Sequence, residues 1–281
     1  QQAFGESFDG WQGVQHIQFG PITYFSWNFR MQYWPDDNGT GGRQLTALLA
    51  SGDMTALEPD TFARQSVGVQ GYPALERLLF DTDSLALLQA EPYRCLVVST
   101  IAANLSSMAS GVYAQWRDEF RQVIATADER GFFESAEDAT IDFMKGLVES
   151  IRRNQQQKLE AVLGESQAEA RPRRAEAWRS ERSVSNLQLN LAALTDLYSA
   201  GEPALRSTLL PADLPGVDAS FIEAKQSLDA VPASLTAALE TTEGYAAVKQ
   251  ARDAFDALFE ALEAALKHTD LYLGFNSLDG D

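Results

Sequence analysis

An all-α fold of two similar helical bundles is predicted by three features of the sequence. Apolar residues recur at steps of three and four over long stretches, no segment alternates in the manner of a half-buried strand, and short turns join the periodic stretches. At 281 residues, 45% apolar and 10% aromatic, the chain can fill a real core and is no candidate for disorder.

The stretch "FGPITYFSWNFRMQYWPDDNGTGG" (19–42) mixes aromatics, two prolines and a glycine-rich turn, so it reads as an irregular segment capping a bundle. "GYPALERLLF" (71–80) reads as a well-started helix. Gly71 permits the turn, Pro73 takes the first helical position, Glu76 falls in the first turn, and Leu75, Leu78 and Leu79 point into the core. Pro92 opens a long helix whose stripe is Val97, Ile101, Leu105, Met108, Val112, Trp116, Phe120 and Ile124. Asn104 interrupts that stripe, and its amide must find a partner or cost about 1–3 kcal/mol.

A third helix is expected over 136–164, started by Ser135 with Asp138 three residues on and stopped at Gly164. A fourth covers 180–199, and a last one carries Tyr245, Val248, Phe255, Leu258, Phe259, Leu262 and Leu266 on one face. The turn "ERGFFES" (129–135) divides the chain into predicted bundles of 1–130 and 131–281. "RQSVGVQGYPALERLLF" (64–80) faintly echoes "RSVSNLQLNLAALTDLY" (182–198), as a duplicated bundle would.

Forty acidic against 22 basic residues give a net charge of −18, which repels phosphate backbones and anionic membranes and argues against nucleic-acid binding. The deficit is uneven. Residues 145–182 hold nine Lys/Arg against six acids, a local positive excess that suits either a solvated helix face or the wall of an anion-facing cleft. The single Cys95 excludes an internal disulfide and a thiolate cluster, and its apolar surroundings predict a buried, inert thiol. No unbroken run of 18 apolar residues is present, so no transmembrane helix is expected. The chain starts at Gln1, and removal of an upstream segment is expected.

Several stretches together carry a resemblance: "FGPI" (19–22), "WPDD" (34–37), "SVGVQGYPALERLLF" (66–80), "IAANL" (101–105), "RAEAWRS" (174–180) and "LGFNSLDGD" (273–281). In this order they resemble the imelysin-like proteins, the M75 peptidase family that includes iron-regulated periplasmic proteins. The resemblance covers nearly the whole chain. It implies two similar helical bundles with a site near their junction, periplasmic or cell-surface location after signal-peptide removal, and a link to uptake of iron or another metal.

The family's Gly-x-His-x-x-Glu element falls on Gly71, Tyr72, Pro73, Ala74, Leu75 and Glu76. A His and a Glu three apart share a helix face and can donate to one ion. Pro73 offers no lone pair, so the imidazole is lost and borderline ions such as zinc lose their preferred nitrogen. Glu76 and His16 are the remaining metal candidates, and iron or another divalent cation is the cofactor the resemblance implies. Its pattern also singles out Arg30, Trp34 and Asp36 near the N-terminus and Glu176 and Arg179 later. With Glu76, Arg77 and Asn104 these form the expected ligand set, or an Arg–Glu lock between bundles. His268 reads as a helix-end residue, and "LDGD" (278–281) as a solvated tail or a hard-cation site.

No His-Glu-x-x-His helix, Gly-x-Ser-x-Gly elbow or plausible Cys/His pair is present. The expected function is a periplasmic binding or accessory protein in nutrient uptake, taking a metal or small ligand and a protein partner. Two alternatives stay open: a metallopeptidase with a rearranged metal site, and a structural protein-interaction module.

Overall fold

The computed structural model describes residues 1–127, 131–271 and 273. Helices dominate it, and the described residues contain no strand. The long ones are α1 (Gln2–Val14), α2 (Thr40–Ser51), α3 (Tyr72–Phe80), α4 (Pro92–Gln115), α5 (Ala136–Arg153), α6 (Ser183–Ser199), α7 (Leu214–Asp229) and α8 (Thr242–Leu266). The chain divides into two compact units. The first takes 1–8 and 18–122; the second takes 9–17 and the described residues from 123 onward. The segment 9–17 therefore leaves its sequence neighbours and belongs with a unit that otherwise begins over a hundred residues later.

The first unit buries Val97, Ile101, Leu105 and Met108 of α4, the first four of the eight residues expected on its stripe, while Val112, Trp116 and Ile124 are half-buried. A π-helical turn, Trp116–Phe120, then rotates the chain and buries Phe120. An aromatic cluster closes the unit around α1: Phe8 lies 4.7 Å from Tyr72 and Phe4 lies 5.3 Å from Phe80, ring centre to ring centre. The Tyr72 hydroxyl donates to the Ser7 carbonyl, so its polar end is satisfied where its body is buried.

One expectation for α4 is corrected. Cys95 is exposed, and its thiol donates to the Leu88 carbonyl at 3.0 Å. It stands two residues before Val97, a rotation of about 200° that carries it away from the buried stripe. In addition, the helical stretch 92–125 is long and apolar enough to cross a membrane by length and composition. Ser, Thr and Asn break its apolar run without lowering its mean hydropathy below 1.5, and no charge falls between Arg94 and Arg117. Only 22% of that window is buried.

The second unit packs α5, α6, α7 and α8 around one apolar core that includes Ile151, Leu187, Leu194, Phe221, Val248, Phe255 and Leu262. Ser135 and Asp138 form the full capping box at the start of α5, each side chain bonded to the other's backbone amide. A second π-helical turn, Asn154–Glu160, extends α5. The stretch ends at Gly164, whose φ of +65° is a left-handed value glycine adopts freely. His268, just past α8, lies with Nδ1 2.9 Å from Asp213 Oδ2, so a carboxylate partner adds to the expected helix-end role. Residues 274–281, with "LDGD", lie outside the described residues.

Candidate functional site

Helix α3 carries the sequence motif, and its start is built for packing. Gly71 caps it with extended backbone (φ −110°), so the glycine is not needed for a left-handed turn. It is needed for close approach: a Cβ there would lie 2.2 Å from the Met31 carbonyl oxygen and 2.6 Å from that of Arg30. The helix begins at Tyr72, which moves Pro73 to the second position and Glu76 out of the first turn. Glu76 therefore lacks the expected dipole contact, and it is buried, at 5% exposure. Leu75 and Leu78 are core residues as expected, while Leu79 is half-buried.

The other expected ligands in this unit fall into separate places. Arg30 Nε donates to Gln70 Oε1 at 2.8 Å, and Asn104 Nδ2 reaches the same oxygen at 3.3 Å. Asn104 thus finds the partner its position demanded, and Gln70, which sequence reasoning did not single out, ties the two together at 1% exposure. Burial lowers the Arg30 pKa. Asp36 accepts from the Thr40 and Gly41 amides, both at 2.8 Å, and so fixes the start of α2. Trp34 is half-buried, and Arg77 reaches toward Asp81 at 3.9 Å on the surface.

In the second unit the sequence pointed to Glu176 and Arg179. Arg179 stacks on the Trp178 ring, 4.2 Å from its centre. Glu176 is 3% exposed and pairs with a residue the sequence did not flag: Lys158 Nζ donates to Glu176 Oε2 at 2.9 Å. The same ammonium reaches Gln15 Oε1 at 2.8 Å, Asn190 Oδ1 at 2.7 Å and Gln12 Oε1 at 3.2 Å. Asn186 Nδ2 also donates to Glu176 Oε2 at 2.9 Å, and Ser183 Oγ to the Glu176 carbonyl at 2.5 Å. Burial lowers the Lys158 pKa, and the Glu176 charge opposes that shift. Four oxygen acceptors around one nitrogen suit an ammonium rather than a neutral amine.

Local sequence explains the gathering. The wide π-helical turn places Asn154, Gln155 and Lys158 on the buried side. Asn186 and Asn190, four apart on α6, interrupt the apolar row Leu187, Leu191 and Leu194. Those two asparagines are the signal that could have revealed the network, since polar groups on a buried helix face need partners.

Beside the network lies a cavity of about 10 Å³, lined by Gln15, His16, Ser150, Arg153, Asn154 and Asn190, with Leu194 as its apolar wall. His16 has its pKa pulled down to about 4 by burial and is neutral near pH 7. It belongs to the second unit and Glu76 to the first.

Over residues 1–264 the sequence matches the imelysin family, peptidase M75. The chain belongs to that family. It is 26% identical over 277 residues to iron-regulated protein A of Synechococcus elongatus, covering 93% of this chain and 72% of that protein. An imelysin-like protein from Psychrobacter arcticum 273-4 has the same fold, with a TM-score of 0.77, 19% identity, and coverage of 95% of this chain and 79% of that one. Pro73 stands where the resemblance led us to expect an imidazole. Among the described residues no three His, Cys, Asp or Glu side chains are grouped to hold one ion. That donor set does not fit a transition metal.

Proposed function

We propose that this imelysin-family chain is a non-catalytic binding or accessory protein in the acquisition of iron or a related nutrient, acting outside the cytoplasm. One observation carries the reading: the motif element carries Pro73 where the resemblance expects an imidazole, and the buried Glu176 is held by an ammonium and amides. Glu76 stands three residues after a proline, and Glu176 is engaged by Lys158, Asn186 and Gln15. Metal-assisted hydrolysis needs a bound water that the metal acidifies, and metal-free hydrolysis needs a nucleophile beside a base. The iron link is supported by the name of the cyanobacterial relative.

Prolonged incubation of the purified chain with an unfolded protein substrate and added zinc is expected to leave that substrate intact. Disruption of the gene is expected to slow growth at low iron. Chelator-sensitive cleavage abolished by Glu76→Ala would instead establish a metallopeptidase and overturn the proposal.

A further inference from the structure

We infer that the cavity beside the Lys158–Glu176 pair is a binding site for a carboxylate group. The inference deepens the binding-protein reading by naming a ligand class. Two features of the lining point to an anion. Asn154 is 2% exposed, and its Nδ2 has no hydrogen-bond partner among the described residues. A buried donor left in that state is costly unless something completes it. Arg153, half-buried in the same wall, donates no side-chain hydrogen bond among the described residues and feels Glu149 and Glu176 through charge alone.

A guanidinium can donate a charge-assisted hydrogen bond to a carboxylate oxygen. His16 Nδ1 is a third unpartnered nitrogen on this wall, and a neutral ring can supply one more N–H. The donors come from two distant parts of the second unit's sequence: the segment 9–17 and the junction of α5 with the π-helical turn, where Arg153 and Asn154 are consecutive.

Size selects within the anions. About 10 Å³ admits a group the size of one water. One oxygen of a flat carboxylate can enter while the rest of its molecule stays in the mouth. A phosphate entering by one oxygen brings three more oxygens on its central atom to the mouth, where a carboxylate brings one.

The chain has only two histidines, so His16 gives a clean reporter by nuclear magnetic resonance. Acetate and citrate titrated into the whole chain are expected to shift the His16 ring signals saturably and to leave those of His268 in place. Inorganic phosphate is expected to shift them far less. Arg153→Gln weakens acetate and citrate binding by at least about tenfold, the loss of a charge-assisted hydrogen bond. Asn154→Leu weakens it as well and serves if the first variant misfolds.

Failure of wild-type His16 to respond saturably, or an equal response to phosphate, would overturn the inference. So would unchanged titration of a folded Arg153→Gln. None of these results bears on whether the chain cleaves protein, which the incubation with zinc decides.

Discussion

Lys158→Met removes the ammonium from a buried site and leaves the Glu176 carboxylate without the cation that donates to it. Glu176 is 3% exposed and Lys158 2%, so screening by water is slight. The stranded carboxylate keeps the Asn186 bond at 2.9 Å and a long contact from Gln15 at 3.4 Å. The oxygens of Gln12, Gln15 and Asn190 lose a shared donor at the same time. Removing one partner of a buried pair costs about 3–5 kcal/mol, because the remaining charge is uncompensated.

Glu176→Gln is milder, at about 1.5–3 kcal/mol, since it retains an acceptor for Lys158 but no charge. Combining both substitutions removes the stranded charge. The double variant is therefore expected to fall short of the sum of the singles by at least about 2 kcal/mol. Calorimetry and urea unfolding of the four proteins complete the cycle. If the two single effects add to within about 0.5 kcal/mol, or Lys158→Met costs under about 1 kcal/mol, the coupled network is refuted.

Two further outcomes follow from other parts of the fold. Gly71→Ala places a methyl group 2.2 Å from a backbone oxygen and is expected to cost about 2–3 kcal/mol or more in urea unfolding, whereas Gly10→Ala in α1 meets nothing within 4 Å and gains about 0.5–1 kcal/mol. His16 titrates at about 4 in the fold and near 6.5 when unfolded. The unfolded chain thus binds the extra proton first, and stability drops as pH falls from 6.5 toward 4, by up to about 3 kcal/mol. His16→Gln removes that slope, and a variant as acid-sensitive as wild type would contradict the assignment.

The fold was legible because its signals are local. The Ser135–Asp138 capping box, the helix start at Pro92 and the four-residue rhythm from Val97 to Met108 each need only neighbouring residues. The same rhythm, followed one step further, would have turned Cys95 outward; an apolar neighbourhood in sequence was mistaken for one in space. Glu76 was misplaced by a single position in the helix start, enough to move it out of the first turn.

The second-unit network was not legible. Lys158 stands in "RRNQQQKLE", which reads as a solvated face, and its burial depends on a carboxylate 18 residues away and on residues 12 and 15. Nothing in the segment 9–17 announces that it folds with a distant unit. Of the flagged residues, Arg30 and Asn104 meet at Gln70, while Asp36, Arg77 and Arg179 each have local attachments.

Whether the proline at position 73 has ended transition-metal chemistry is tested most directly by titrating the wild-type chain with zinc in a calorimeter. Heats that show no site tighter than roughly millimolar agree with a donor set lacking imidazole. A saturable micromolar site of one zinc per chain, lost in Glu76→Ala, would contradict it.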